Sequence, residues 1–257
     1  MLRIIFLCSA LFIPSLSLAG DIIVVPPLLG SEPNTPSTLT LLYPAAKAQA
    51  TLILIPGGEG HLRFTEAQKD TRNASAVLLK PFAHSNIPLG ISANVVIVDS
   101  PYEIFPYSRR RSKDHLDRIA AVAQFYRQRD QLPVWLMGHS WGSVSVTEFI
   151  NRSTNDSTLI DGLIVSGSRF DIEIKTGIHM PVLFLHHVQD ACIATPYTNA
   201  KSNFSKTKTL NKGNTEFLTV KGGESKGEPC RDGYHMYHGS YDMAAEHIAK
   251  FILRHLQ

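Results

Sequence analysis

The chain has 257 residues, enough for one large domain with a substantial core. It carries 25 basic and 22 acidic residues, a net charge of +3, and this balance excludes a nucleic-acid-binding protein that relies on a strongly basic surface. No internal repeat, low-complexity tract or linker divides the sequence, which therefore predicts a single domain after any leader.

The first nineteen residues have the features of a secretory signal peptide. An early positive charge, Arg3, precedes an apolar stretch, and small residues follow at Ser17 and Ala19. Cleavage after Ala19 would leave residues 20–257. A retained anchor is disfavoured because the apolar stretch is shorter than the ~20 residues that a spanning helix needs. We expect a secreted or periplasmic protein with no integral membrane span after cleavage.

Strand-like apolar runs alternate with helical or loop stretches along the rest of the chain, which predicts an α/β fold. Several runs are nearly continuous in Val, Ile and Leu, as is typical of parallel strands buried on both faces. We expect a mostly parallel central sheet with helices on both faces, and chemistry at the carboxyl ends of its strands. The predicted strands are Thr51–Ile55, Asn94–Asp99, Val134–Met137, Gly162–Val165, Val182–Leu185 and Phe217–Val220.

Helices are predicted where apolar side chains recur every three or four residues. One spans Leu116–Tyr126, a second begins at Ser143, and the last covers Asp242–Leu256. The segment between Phe170 and Pro181 is short, so no large cap domain is expected there.

In the segment IPGGEGH, residues Pro56–His61 directly follow the predicted strand Thr51–Ile55. Glycines let the backbone approach a substrate and direct N–H groups at it, so the Gly58 and Trp141 N–H groups are candidates for an oxyanion hole. The alternative is a simple glycine turn. The connection Glu59–Ala93 and the loop Tyr102–Arg111 either line the pocket or serve as surface packing.

A basic cluster, Arg109–Arg111 with Lys113, lies in a polar loop. We interpret it as a solvated segment, with contact to an anionic surface as the alternative.

The segment LPVWLMGHSWGSVSV carries a glycine two residues before and two residues after Ser140. An apolar strand precedes the pattern and a helix follows it, which is the context required of a nucleophile presented on a strained turn. Gly138 and Gly142 would avoid side chains where strand and helix crowd together. An ordinary polar turn is the alternative.

The segment LFLHHVQDACIATP runs from the end of a strand through His186 and His187 to Asp190. An acid on such a loop can hydrogen-bond the far nitrogen of a catalytic histidine and fix its tautomer. Asp190 is therefore the candidate acid, unless it only caps a short helix near Pro196.

Two possible bases, His235 and His238, precede the last helix. A catalytic histidine must accept the Ser140 proton and return it to the leaving group. Either histidine completes the chain order nucleophile, acid, histidine, with Asp190 as the acid.

Two cysteines, Cys192 and Cys230, remain after the predicted cleavage, since Cys8 leaves with the signal peptide. In an oxidising compartment a single disulfide is expected of such a pair. Two buried free thiols are the alternative.

A metal site is the alternative use of these histidines. The residues His186, His187, Asp190, His235 and His238 have the chemistry of metal ligands. However, the sequence has no His-Glu-x-x-His motif, and a metal site would leave the turn at Ser140 unexplained. We expect neither a metal nor a cofactor.

These residues resemble the α/β-hydrolase superfamily over nearly all of the mature chain, and within it a poorly characterised group of secreted, serine esterase-like α/β-hydrolases. That group has a Pro-Gly-Gly-x-Gly loop, matched by Pro56–Gly60, and a His-His-x-x-Asp-x-Cys segment, matched by 186–192. It also has a Gly-Gly pair, a Pro-Cys pair and a His-Gly-Phe-x-Gly loop, matched by Gly222-Gly223, Pro229-Cys230 and 235–239.

The resemblance favours His235 as the base, although Met236 stands where the group has Gly and His238-Gly239 offers a second His-Gly pair. The matched cysteines imply that a Cys192–Cys230 bridge ties the acid loop to the histidine loop.

The sequence thus predicts a secreted serine hydrolase that acts on a small-molecule ester through Ser140, Asp190 and His235. Cleavage of an amide or peptide by the same three residues is an alternative, and a catalytically silent binding module is another.

Overall fold

The computed structural model describes residues 20–64, 92–104, 107–152, 158–175, 177–211 and 214–256. The predicted signal peptide, residues 1–19, lies outside this part of the chain. So does most of the predicted pocket-lining connection 59–93, together with residues 105–106 of the second pocket-lining loop.

The described residues form one eight-stranded sheet with the order β1-β2-β4-β3-β5-β6-β7-β8. β1 pairs antiparallel with β2, and β2 with β4, whereas every pairing from β4 to β8 is parallel. The strands are β1 Asp21–Val25, β2 Thr38–Tyr43, β3 Ala50–Ile55, β4 Ala93–Asp99, β5 Val134–His139, β6 Gly162–Ser166, β7 Val182–His187 and β8 Thr215–Val220.

Four α-helices and two short 3₁₀ helices connect the strands in the described part of the chain. No helix among these residues is long and apolar enough to cross a bilayer. The α-helices are α1 Lys113–Asp130, α2 Trp141–Arg152, α3 Tyr197–Leu210 and α4 Tyr241–Arg254, and the 3₁₀ helices are Tyr107–Arg111 and Gly233–Met236.

Successive side chains of the central strands pack alternately into two hydrophobic cores, one on each face of the sheet. In β5, Leu136 packs in the core shared with α1 and α2, whereas Trp135 packs in the core shared with α4. Phe204 of α3 packs against the first core. Helices therefore cover both faces, as the sequence predicts, and the carboxyl ends of the parallel strands remain the place where loops converge.

All six predicted strands are present, each extended by one or two residues at one end. The two antiparallel strands β1 and β2 and the full length of α3 were not predicted. β1 lies at the sheet edge and has only Val25 fully buried, so it lacks the continuous buried run that marks the central strands.

Candidate active site

Ser140 lies on a sharp turn between β5 and α2. Its backbone has a φ of 54°, a left-handed conformation that is strained for a residue with a side chain. The turn is held from both sides, because the Ser140 N–H donates to the Ser166 carbonyl at 3.0 Å and its carbonyl accepts from the Ser143 N–H at 2.9 Å. The strain is therefore maintained by the surrounding strands and helix.

The two glycines of the motif are required by close packing of backbone on backbone. A Cβ on Gly138 would overlap the carbonyl of Gly142, and a Cβ on Gly142 would overlap the carbonyl of Ile55 at the end of β3. The spacing of these glycines around Ser140 thus has the steric cause that the sequence suggests.

Asp190 lies on the turn after β7 with its side chain only 1% exposed. Its Oδ2 accepts hydrogen bonds from His235 Nδ1 and from Thr195 Oγ1, each at 2.9 Å, and its Oδ1 accepts from the Cys192 N–H at 2.9 Å. Burial alone would raise the pKa of Asp190. Hydrogen bonds from His186 and His235 outweigh that effect, so the pKa lies well below its usual range and the group is a carboxylate.

The bond to this carboxylate fixes the tautomer of His235. Nδ1 donates its proton to Asp190, so Nε2 carries a lone pair. The Nε2 atom is buried and has no hydrogen-bond partner among the described residues, the Ser140 hydroxyl included. Catalytic hydrogen bonds of this kind are often long in a free enzyme and tighten with substrate.

His235 lies near the ends of β5 and β6, with its ring centroid 4.9 Å from that of His139, the residue before Ser140. His139 pairs with Ser166 in the β5–β6 register, so Ser140 and Gly167 are adjacent. Gly167 has a φ of 50°, and a Cβ there would lie 3.3 Å from His235 Cε1. A Cβ there would also lie 2.8 Å from His139 Cε1, so Gly167 makes room for both imidazoles beside the turn that carries Ser140.

His238, the other candidate base, lies elsewhere. Its side chain is 28% exposed, and its ring nitrogens lie 3.7 Å from Asp232 Oδ1 and 3.9 Å from Glu224 Oε2. Tyr241 Oη lies 3.3 Å from His238 Nδ1. The structure thus brings His235, and not His238, to Asp190.

A buried polar chain anchors the loop that carries His235. Tyr237 Oη donates to the Leu185 carbonyl at 2.9 Å, and Ser166 Oγ lies 2.9 Å from the same phenol oxygen. His139 Nδ1 lies 3.0 Å from Ser166 Oγ. Because burial holds the pKa of His139 well below its ordinary value, its ring is neutral. This chain fixes the histidine loop to the ends of β6 and β7.

The two histidines at the end of β7 have different partners. His186 accepts from the Ser168 N–H through Nδ1 at 3.2 Å, so its Nε2 carries the proton and donates to the Thr195 carbonyl at 2.9 Å, with Asp190 Oδ2 at 3.2 Å. His187 stacks on Tyr234 and pairs through Nε2 with the Gly222 carbonyl at 2.8 Å. Within the described ranges, no three His, Cys, Asp or Glu side chains are grouped to hold a metal ion.

The glycine loop after β3 runs beside Ser140. A Cβ on Gly57 would lie 2.9 Å from Ser140 Cβ and 3.4 Å from its Oγ, so only glycine permits this approach. Gly58 has a φ of 55°. Trp141 is the first residue of α2, and the first N–H groups of a helix have no partner within it. Of the two predicted oxyanion-hole donors, Trp141 thus follows Ser140 directly and Gly58 follows Gly57, which lies against Ser140.

The glycine loop is held from behind by Arg110. The interpretation of the basic cluster as a solvated segment is wrong for this residue, because Arg110 is 0% exposed. Its Nη2 donates to the carbonyls of Gly57 and Gly58 at 3.2 and 2.7 Å, and its Nη1 donates to Ser145 Oγ at 2.9 Å.

Trp141 forms an aromatic and cationic stack at the edge of the site. The Tyr107 ring stacks on it at 4.0 Å between centroids, and the Arg169 guanidinium carbon lies 3.4 Å from its ring centroid. Arg169 also donates through Nε to Asp171 Oδ1 at 2.7 Å. Cation and ring contacts together fix the orientation of the indole beside Ser140.

The predicted disulfide is present. Cys192 and Cys230, 38 positions apart in sequence, are bonded. The bridge connects the loop of Asp190 with the segment that leads to His235, as the resemblance implied.

Several residues of this site were missed by sequence reasoning: Gly57, Arg110, His139, Ser166, Gly167, Thr195 and Tyr237. For Gly57 a signal existed, since it is one of the paired glycines of the IPGGEGH segment. The others act through contacts between residues far apart in sequence, and no local pattern marks them.

No family model matches the chain, and no curated protein matches it by sequence. Solved structures match its fold. A lidless α/β serine hydrolase from Xanthomonas campestris has a TM-score of 0.60 at 11% identity, covering 91% of this chain and 94% of its own. An esterase from Pyrococcus furiosus has a TM-score of 0.61 at 10% identity, covering 94% of each chain.

A third similar structure is carboxyl esterase 2 from Tuber melanosporum, with a TM-score of 0.62 at 11% identity, covering 95% of this chain and 90% of its own. The three similar structures indicate the same fold as the strand order and the parallel sheet with helices on both faces. The protein therefore has the α/β-hydrolase fold, and the described residues include no large cap domain.

Proposed function

We propose that the protein is a secreted serine hydrolase that cleaves carboxylic esters, with Ser140 as nucleophile, His235 as general base and acid, and Asp190 as the orienting carboxylate. The observation that carries the proposal is the hydrogen bond between Asp190 Oδ2 and His235 Nδ1 beside the strained turn of Ser140. A protein without this chemistry would have no need to keep Ser140 in a left-handed conformation.

The reaction follows from these groups. Ser140 Oγ attacks the acyl carbon while its proton passes to His235 Nε2, whose lone pair is free. The carbonyl π electrons move onto oxygen, and the Gly58 and Trp141 N–H groups stabilise the oxyanion. His235 then gives its proton to the departing alcohol.

Deacylation repeats these steps with water. His235 Nε2 takes a proton from water as it attacks the acyl-enzyme, and the same proton returns to Ser140 when the acid leaves. Asp190 remains ionised throughout and stabilises the imidazolium that forms twice in each cycle, consistent with its depressed pKa.

No large cap is present among the described residues, which supports ester substrates with short or medium acyl chains. Residues 167–181, where a cap could be inserted, contain no helix or strand among those described. Tyr107 and Trp141 stack beside the nucleophile and supply a firm apolar wall on one side. The similar solved structures include two esterases and a lidless serine hydrolase, in agreement with this substrate class.

Secretion is part of the proposal. It is supported by the features of residues 1–19 and by the Cys192–Cys230 disulfide, which is typical of an oxidising compartment.

The test is hydrolysis of p-nitrophenyl acetate, butyrate and palmitate, together with the p-nitroanilides of the first two acids. The wild type is expected to cleave the short esters faster than palmitate and the anilides, and Ser140→Ala is expected to abolish cleavage. Ser205→Ala, on the exposed side of α3, is the matched control and should retain wild-type rates. Faster cleavage of the anilides would favour an amidase, and no cleavage by folded, oxidised protein would overturn the proposal.

A further inference from the structure

We infer that Arg110 is a positioning residue of the oxyanion hole: its guanidinium holds the peptide groups of Gly57 and Gly58 so that the Gly58 N–H is directed to the substrate oxygen. The inference rests on the proposed function and deepens it, because it assigns a role in transition-state stabilisation to a residue outside the catalytic three.

The planar peptide between Gly57 and Gly58 sets the direction of the Gly58 N–H. In the trans peptide between Gly57 and Gly58, the C=O and the N–H point in opposite directions. Arg110 Nη2 binds the Gly57 carbonyl at 3.2 Å, so the Gly58 N–H is turned away from the guanidinium. A Cβ on Gly57 would lie 2.9 Å from Ser140 Cβ, so the nucleophile lies against this peptide.

The Arg110 guanidinium fixes two consecutive peptide groups. Arg110 Nη2 also donates to the Gly58 carbonyl, at 2.7 Å. With both carbonyls held by the same nitrogen, neither peptide can rotate without breaking a charge-assisted hydrogen bond, which is stronger than a neutral one. The positive φ of Gly58, 55°, is therefore stabilised from outside the loop.

Arg110 is itself held in place by the helices around it. Ser145 Oγ of α2 lies 2.9 Å from Arg110 Nη1 and 2.8 Å from His115 Nε2 of α1. The guanidinium thus connects the glycine loop to the helix that follows Ser140. This contact therefore connects Gly58 to α2, the helix that also carries Trp141, the second oxyanion-hole donor.

No carboxylate of the described residues forms an ion pair with Arg110, although the side chain is fully buried. Burial lowers the pKa of Arg110 to about 9, so it is still a cation at neutral pH. An isolated buried cation is costly, and a stable fold retains one where it meets partial negative charges. Here these are the two carbonyls, and the field of the cation also favours negative charge developing at the adjacent site.

The experiment compares Arg110→Lys and Arg110→Met with wild type on p-nitrophenyl butyrate, with rates expressed per active serine titrated by a fluorophosphonate. Loss of one oxyanion-hole donor lowers kcat by about 10²–10³-fold in other enzymes, so a misdirected donor is expected to lower kcat by about 10- to 100-fold. KM should change by less than about threefold, because the ester carbonyl in the ground state gains little from the hole.

A second readout separates positioning from general stability. The Ser140 oxygen adds to the carbonyl carbon of a trifluoromethyl ketone, and the hydroxyl proton passes to His235. The former carbonyl oxygen then becomes an oxyanion in the hole. The affinity for this ketone should fall by the same factor as kcat/KM in both variants. Arg109→Met, in the same 3₁₀ helix but exposed, is the matched control and should leave both values unchanged.

Unchanged kcat and inhibitor affinity in the two Arg110 variants would overturn the inference and leave the proposed function standing. Failure of both variants to fold would make Arg110 a structural residue and would also overturn it. A wild type that turns over no ester and is not labelled at Ser140 would overturn the proposed function, and the inference with it.

Discussion

His235 Nδ1 lies 2.9 Å from Asp190 Oδ2, although the two residues are 45 positions apart in sequence. Two further contacts fix the pair in place, because Thr195 Oγ1 lies 3.1 Å from the same histidine nitrogen and Tyr237 anchors the histidine loop to β7. The imidazole is thus held from one side only, and its second nitrogen is left free on the side of Ser140.

The choice between the two candidate bases gives the first prediction. His235→Ala is expected to lower kcat/KM for p-nitrophenyl butyrate by about 10³-fold or more, as loss of a general base does in a catalytic triad. His238→Ala should remain within about threefold of wild type, because His238 is only partly buried and lies near Glu224 and Asp232 instead of Asp190. Steady-state kinetics of both variants check this, and the reverse pattern would identify His238 as the base.

The sequence predicted the central sheet and the three candidate catalytic residues because each leaves a local pattern. Buried parallel strands read as apolar runs, and the turn at Ser140 requires Gly138 and Gly142 at fixed positions. Asp190 follows a strand end directly. The choice of His235 over His238 depended on a resemblance, since both lie in one short loop.

What the sequence could not predict depends on contacts across the fold. Arg110 appeared as part of a solvated basic cluster, because nothing local indicates that one arginine of three turns inward to two carbonyls. Tyr237 and Ser166 meet only when β6 and the histidine loop are assembled. The edge strand β1 is half exposed and follows the predicted signal peptide, so its apolar residues gave no clear strand pattern.

The disulfide gives the second prediction. A bridge closing 38 positions stabilises the fold by about 4 kcal/mol in the chain-entropy model, and this one also ties the Asp190 loop to the His235 loop. In Cys192→Ser/Cys230→Ser, we expect kcat to fall by a larger factor than the folded fraction at 25 °C. Kinetics beside far-UV circular dichroism check this. Wild-type kinetics in the folded double variant would show that the bridge does not position the two loops.

Buried neutral histidines give the third prediction, a loss of stability in mild acid. Burial, together with the charges of Arg110 and Arg118, lowers the pKa of His115 from 6.5 to about 3. Below pH 6.5 the unfolded chain therefore binds a proton at His115, whereas the folded chain does not. The free energy of unfolding falls as a result. The depressed pKa of His139 acts in the same direction.

Asp190 does not contribute in that pH window. Its folded pKa is depressed, so its stabilisation is present above its ordinary value of 3.8 and is lost only at lower pH. Between pH 6.5 and 5.0, His115 alone should remove about 2 kcal/mol from the free energy of unfolding, at about 1.4 kcal/mol per pH unit. Urea unfolding at pH 7.5 and 5.0 measures this, and His115→Gln should reduce the difference. Equal stability at the two pH values in the wild type would contradict the prediction.

The most direct measurement is labelling of the oxidised mature protein with a fluorophosphonate, followed by peptide mass mapping of the modified residue. Ser140 Oγ is expected to displace the fluoride from phosphorus and to be the single modified position. Labelling should disappear in Ser140→Ala and in His235→Ala but persist in His238→Ala. A folded protein that takes up no label, or that is labelled at another serine, would contradict the assignment of Ser140 as an activated nucleophile.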